Sequence, residues 1–151
     1  MHNLEAFAEH IREQIPLTRH LDFQILSWDG DSLRLKAGLA PNINDKGSLF
    51  AGSQTALLTL AGWAYTTLLS LPEDVDVVAA GSEIAFAAPI MSDAEFIAYT
   101  DAEARERFRQ RLARKGRAPL KLSVSAATAG TATATRFTGT YLATNKRHLN
   151  G

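Results

Sequence analysis

The sequence contains no cysteine, and its histidines are few and scattered. Without cysteine the chain has no disulfide, no thiolate nucleophile and no cysteine-based metal site. The four histidines stand at positions 2, 10, 20 and 148, without the spacing of metal ligands. We therefore expect no bound metal and no cofactor.

The chain also lacks net charge and a recognisable leader. Sixteen basic and sixteen acidic residues cancel, and the pI is about 6.9. Such a balance gives no general attraction to nucleic acid or to an anionic membrane. A signal peptide needs a basic start and an apolar run, whereas Glu5, Glu9 and Glu13 occupy this stretch. We therefore expect a cytoplasmic protein without nucleic-acid or membrane partners.

One long stretch, between Lys46 and Glu73, carries no formal charge at all. Its residues 51–70 predict a buried central helix. Seven of these twenty residues are Ser, Thr or Gln and two are Gly, which is too polar for a lipid-facing span. Small and polar residues follow the spacing of one helical face, and we expect tight packing there, at Gly52, Thr55, Thr59, Gly62 and Thr66.

Short helices and pairs of strands fill the remaining sequence. Apolar periodicity predicts helices at 3–15 and 101–116, and alternation predicts hairpins at 20–39, 75–100 and 119–144. Hairpins with one apolar face need something to wrap, and the charge-free helix is the one segment apolar enough. The sequence predicts a single α+β domain over residues 1–151, with a curled antiparallel sheet around a long central helix and a frayed tail at 145–151.

Residues 41–53, PNINDKGSLFAGS, and 59–64, TLAGWA, carry a family resemblance. The positions that match are Asn42, Asn44, Gly47, Phe50, Gly52, Ser53 and Trp63. They resemble the thioesterase domain that elsewhere forms the C-terminal part of YiiD-type acetyltransferases. The resemblance implies the hotdog fold in a free-standing version. It also implies a homodimer, with a tetramer as the alternative, whose subunits admit acyl thioesters of coenzyme A or acyl carrier protein between them.

The turn before the central helix is suited to binding a carbonyl group. Backbone N–H groups at a helix start are unpaired, and the helix dipole favours negative charge there. Together with the resemblance, this predicts a substrate-binding set of Asn42, Gly47, Phe50, Ala51, Gly52 and Ser53. The alternative is that the polar residues of the turn only shape the chain.

Asp45 is the only acid of the motif and therefore the one local candidate for a general base, with Asn44 holding the water or the carbonyl. Many hotdog thioesterases have a histidine and an acid where this chain has Phe50 and Thr59. The departure leaves three alternatives: Asp45 with Asn44, water positioned by Ser53 and Thr59, or no hydrolysis. We therefore predict a thioesterase, with a non-catalytic acyl-thioester binding or sensing domain as the alternative and a purely structural dimer third.

Two further features have both a functional and a structural explanation. Glu83 would be a rival base if it faced inward, but alternation with Ile84 and Phe86 predicts that it faces outward. The basic run from Arg105 to Arg117 could bind the phosphates of coenzyme A or the acidic surface of a carrier protein. The sequence favours an ordinary solvated helix for this run.

Overall fold

A computed structural model describes residues 3–149. The helices are α1 (Leu4–Gln14), α2 (Ala51–Ser70), α3 (Ala102–Lys115) and α4 (Lys146–Leu149), and short 3-10 helices cover Pro16–His20 and Ala40–Asn42. The strands are β1 (Phe23–Trp28), β2 (Ser32–Ala37), β3 (Val75–Phe86), β4 (Ala94–Tyr99), β5 (Arg117–Thr128) and β6 (Thr131–Asn145). None of the described helices is long and apolar enough to cross a membrane.

The six strands form one antiparallel sheet in the order β1-β2-β4-β5-β6-β3, and α2 packs on one face of it. Leucine, alanine and tyrosine side chains of α2 are buried against inward-facing residues of the strands. Because several strands contact this one helix, the sheet curls around it. The predicted α+β architecture and central helix are confirmed.

The first helix ends where the sequence predicts. The side chain of Asn3 accepts a hydrogen bond from the N–H of Ala6, which caps α1, and Pro16 follows its last turn. Ala8 and Ile11 are the buried residues of this helix. α1 therefore lies on the sheet beside β1, as its periodicity indicates.

Two of the three predicted hairpins are confirmed and one is wrong. β1 pairs with β2, and β5 pairs with β6. β3 does not pair with β4; it pairs with β6 at the edge of the sheet, and β4 lies between β2 and β5. The link between β3 and β4 is no tight turn, because Ile90 is buried and its carbonyl accepts from the N–H of Leu49. Alternation indicates which face of a strand is buried, not which strand lies beside it.

The small-residue face of α2 divides into a covered half and an open half. A Cβ on Gly62 would overlap the ring of Tyr141, so glycine is what allows β6 to approach the helix there. Thr66, one turn later, is also buried, whereas Gly52 and Thr55 near the helix start are exposed. The predicted tight packing therefore holds only for the C-terminal half of this face.

Part of the predicted tail lies in secondary structure. Asn145 is the last residue of β6 and is buried, and its side chain bonds to Glu73. Lys146–Leu149 form a helical turn. Residues 150–151 lie outside the described residues.

Candidate functional site

The loop that leads into α2 is fixed to the body of the protein by Asn42. Its side chain is buried, and its amide donates to the carbonyl oxygens of Leu21 and Gly38, each at 2.8 Å. The main-chain carbonyl of Asn42 accepts from the N–H of Phe50 at 2.8 Å. Because both amide hydrogens are bonded to main-chain carbonyls, the Asn42 side chain holds the loop in place.

Asn44 organises the turn that follows. Its side-chain oxygen accepts from the N–H groups of Lys46 and Ser48, and its amide donates to the Ser48 hydroxyl at 2.9 Å. Gly47 completes the turn with a φ of 79°, a left-handed conformation that favours glycine. Asp45 lies at the tip, where its side chain is 82% exposed and pairs with Lys46 at 3.2 Å.

The amino end of α2 offers unpaired N–H groups. Phe50 is the N-cap residue and supplies no side-chain hydrogen bond. Within residues 3–149, no protein acceptor pairs with the N–H groups of Ala51, Gly52 and Ser53. The Phe50 ring packs on Gly52 and remains half exposed. This end of the helix can therefore receive an oxygen that carries negative charge.

A small apolar cavity of about 180 Å³ opens on the same side of α2. Ala56, Thr59, Leu60 and Trp63 line it from the helix, Ala79 and Tyr141 from the sheet, and the 3-10 segment closes it with Ile15, Leu17, Thr18 and Leu21. Gly52 lies on the same face of the helix, because Ala56 and Thr59 follow it by four and seven residues. The seven residue steps from Gly52 to Thr59 rise ~10 Å along the helix. An apolar chain attached to a group at the helix start can therefore extend into this cavity.

Two hydroxyl groups in the site make no hydrogen bond to the described part of the protein. They belong to Ser53 and Thr59, both half-buried. The carbonyl of Thr59 accepts from the Tyr141 hydroxyl at 2.8 Å, but its side chain stays available inside the cavity. These hydroxyls can hold a water molecule, whereas neither is a base at neutral pH.

Two residues that shape the site are absent from the set predicted from the sequence. Gln54 is buried, donates to the carbonyl of Leu49 and accepts from the Thr135 hydroxyl at 2.5 Å. Burial raises the pKa of Tyr141, which lies in the cavity wall. A glutamine within a charge-free helix was the available signal for the first residue. Tyr141 lies far along the chain, on β6, and the sequence carried no signal for it.

Glu83 lies away from this site. It stands opposite Thr138 on β6 and is exposed, whereas its neighbour Ile84 stands opposite the buried Phe137. The predicted outward orientation is confirmed. The region of residues 3–149 contains no cluster of three or more histidine and acidic side chains placed to hold a metal ion.

The structure thus brings part of the predicted set together. Phe50, Ala51, Gly52 and Ser53 meet at the helix start, about two turns before Thr59. The side chains of Asn42 and Asn44 form hydrogen bonds that fix the loop, and Asp45 extends from the loop into solvent. Within one chain, the carboxylate of Asp45 has Lys46 as its only described polar contact.

Comparison with known proteins assigns the family. A family profile described as "Putative thioesterase (yiiD_Cterm)" matches residues 4–145. No curated protein sequence matches. A solved structure described as a "putative thioesterase" from Shewanella oneidensis is similar at 29% identity and a TM-score of 0.79, over 93% of this chain and 96% of that one.

Two further solved structures share the fold. A protein of unknown function from Chlorobaculum tepidum is 25% identical, with a TM-score of 0.81 over 93% of both chains. A thioesterase from Haemophilus influenzae is 16% identical, with a TM-score of 0.73 over 96% of this chain and 92% of that one. The fold is the hotdog fold, and the chain belongs to the thioesterase family of the YiiD C-terminal type.

Proposed function

We propose that the protein hydrolyses acyl thioesters carried by coenzyme A or acyl carrier protein, in the cytoplasm and without a cofactor. The observation that carries the proposal is the position of the apolar cavity on the same face of α2 as the unpaired N–H groups at its amino end. The N–H groups suit the carbonyl of a thioester, and the cavity suits its acyl chain. The thiol side of the substrate extends outward past Phe50.

The reaction is an addition followed by an elimination. The oxygen of a water molecule attacks the thioester carbon, and a base takes its proton. The carbonyl oxygen becomes an oxyanion, which the N–H groups of Ala51, Gly52 and Ser53 stabilise. When the oxyanion collapses, the C–S bond breaks, and the thiolate takes the proton back from the protonated base as it leaves with the carrier. No covalent enzyme intermediate is needed.

Asp45 is the base in this proposal, and Asn44 holds the turn that presents it. The support is chemical: Asp45 is the one carboxylate of the loop, and breaking its exposed ion pair with Lys46 costs little free energy. The second arrangement has the hydroxyls of Ser53 and Thr59 orienting the water. Both are close to the helix start and uncommitted. Glu83 would take part only from the outer face of a neighbouring subunit.

A homodimer joined through β3 completes the proposal. The two edges of the sheet differ. On β1, Arg12 from α1 donates to the carbonyl of Phe23 at 2.7 Å, so part of that edge is already hydrogen-bonded. On β3, residues 78–83 are exposed along an edge that has no strand beside it in the described chain. Long open edges are sites of strand pairing.

Apolar side chains around the helix start support the same dimer. Phe50, Ile43 and Met91 are each more than half exposed. They lie next to the Leu49–Ile90 hydrogen bond, at the loop that precedes α2. A second subunit would cover them and place its own groups beside the site. A tetramer of two such dimers remains the alternative assembly.

The second candidate function is a domain that binds acyl thioesters without hydrolysing them. The observation that favours it is the exposed position of Asp45, which leaves no carboxylate beside the helix start within one described chain. In this case the cavity and the N–H groups would bind the acyl group and its carbonyl and do no more. A structural dimer without a ligand is the third possibility.

Release of free thiol from acyl-CoA thioesters of two to twelve carbons separates these functions. The proposed enzyme gives turnover that saturates with substrate. A binding domain gives saturable binding of the same acyl-CoAs, measured by calorimetry, with no thiol above the spontaneous rate. A structural dimer gives neither signal, and its dimer is unchanged by any acyl-CoA.

A further inference from the structure

The positive charge of this neutral chain is concentrated in one segment. Between Arg107 and Lys121 the sequence has seven lysines and arginines and no acid. The acids that balance them lie elsewhere in the chain. The protein therefore presents one locally basic surface despite its zero net charge.

Five of these cations border a groove of about 450 Å³ between α3 and β5. Arg107, Arg111 and Arg114 lie at i, i+4 and i+7 on α3 and share one face, and Lys121 projects from β5. Phe108 and Leu120 are buried beneath them and hold the helix on the sheet. The groove has an apolar floor and a basic rim.

Most cations of the rim have no ion-pair partner within the described part of the protein. Arg107 pairs with Glu103 at 3.3 Å in an exposed contact. Within residues 3–149, Arg111, Arg114, Lys115 and Lys121 make no ion pair. Like charges one turn apart on a helix repel each other. A row of this kind is stabilised when an anionic partner lies on it.

We propose that this groove docks the acidic face of an acyl carrier protein, which deepens and rests on the proposed thioesterase function. From Arg107 to Arg114 the rim extends ~10 Å along an exposed helix. A single phosphate is best held by donors that converge on one point. An elongated, open row of cations with an apolar floor is complementary to an elongated acidic surface such as an amphipathic helix. Exposed charges of this type mainly orient the partner and accelerate association.

The groove is remote from the proposed chemistry. α3 begins beside the C-terminal half of α2, where Arg105 pairs with Asp31 at 3.0 Å and the Tyr65 hydroxyl donates to the carbonyl of Asp31. The helix start lies at the other end of α2, whose twenty residues span ~30 Å. Charge changes in the groove therefore leave the hydrolysis of a small thioester unaffected.

A double charge reversal, Arg111→Glu with Arg114→Glu, tests the docking surface. The matched control is Arg109→Glu with Arg117→Glu, which changes the net charge equally in the same segment but at residues that do not line the groove. Unchanged circular dichroism and melting temperature establish that both variants fold. Holo acyl carrier protein without an acyl group is the binding probe, followed by fluorescence anisotropy at low salt.

We expect the groove variant to weaken carrier-protein binding at least about tenfold and the control by less than about twofold. The kcat/KM for an acyl carrier-protein thioester falls in the same proportion, while that for the acyl-pantetheine thioester is unchanged. Equal weakening by the control, or no weakening, overturns the proposal. An equal loss with acyl-CoA also overturns it and assigns the groove to nucleotide phosphates. If no thioester is hydrolysed but carrier binding still depends on the groove, the proposed catalysis fails and the docking surface stands.

Discussion

The hydroxyl of Tyr141 on β6 donates a hydrogen bond to the carbonyl oxygen of Thr59 on α2, at a distance of 2.8 Å. The bond passes beside Gly62, where the absence of a side chain lets the ring reach the helix. It joins the sheet to the helix at the wall of the apolar cavity. The position of this wall therefore depends on one residue pair separated by 82 positions in the chain.

Tyr141→Phe tests the energetic role of this contact. Loss of one buried hydrogen bond should lower the free energy of unfolding by about 1 kcal/mol at neutral pH, measured by urea denaturation. Burial raises the pKa of Tyr141 above its ordinary value of 10.0, so the unfolded chain ionises first. The contribution of Tyr141 is complete below pH 10 and is lost as the pH rises further. Tyr141→Phe should therefore destabilise the protein less at pH 11 than at pH 7, and an equal or larger effect at pH 11 would reject this explanation.

Ala56→Leu tests whether the cavity holds the acyl chain. The larger side chain fills part of the roughly 180 Å³ next to Thr59. We expect kcat/KM to fall about tenfold or more for the longest acyl chains that the parent hydrolyses, and to stay unchanged for acetyl thioesters. Ala113→Leu, on the exposed side of α3, is the control. A uniform loss across all chain lengths would place the acyl chain elsewhere.

Val78→Lys tests the dimer through β3. Val78 is half exposed on the open edge strand, where a charged side chain disfavours the approach of a second strand. Light scattering should give twice the 16.4 kDa of one chain for the parent and a single-chain mass for the variant. Leu26→Lys, at an exposed residue of the opposite edge strand β1, should remain dimeric. A parent of single-chain mass, or a Val78→Lys variant that is still dimeric, contradicts this interface.

Asp45→Asn tests the assignment of the general base. Removal of a general base costs about 10²- to 10⁴-fold in rate, and we expect kcat to fall within this range while the binding of acyl-CoA is kept. Asp76→Asn, an exposed acid on β3, serves as the control. Full activity of Asp45→Asn, with a loss in Ser53→Ala and Thr59→Val, would transfer the role of positioning water to the two hydroxyls.

Much of the fold follows from local sequence. The charge-free stretch between Lys46 and Glu73 specifies the central helix, because a helix that protein surrounds on most sides must bury few charges. Asn3 and Pro16 delimit α1 through capping and the missing N–H of proline. The pairing of β3 with β6 was not predictable in this way, since the partner of a strand is set by packing across the whole sheet.

The candidate site was predictable only in part, for a related reason. Gly52 and Ser53 can be located because a helix start has the same unpaired N–H groups in any protein. The commitment of Asn42 to the carbonyls of Leu21 and Gly38 depends on tertiary contacts that composition does not reveal. Tyr141 reaches the site through the curl of the sheet. The residue types of the turn were thus informative, but their partners were not.

The most direct test of the central claim is the position of the substrate carbonyl. A crystal structure with an acyl-CoA ketone analogue, in which a methylene replaces the sulfur, keeps the carbonyl and prevents hydrolysis. We predict that its oxygen lies about 2.7–3.1 Å from at least one backbone nitrogen of Ala51, Gly52 or Ser53, with the acyl chain next to Thr59. A carbonyl oxygen beyond hydrogen-bond distance of all three nitrogens in every subunit would contradict the account.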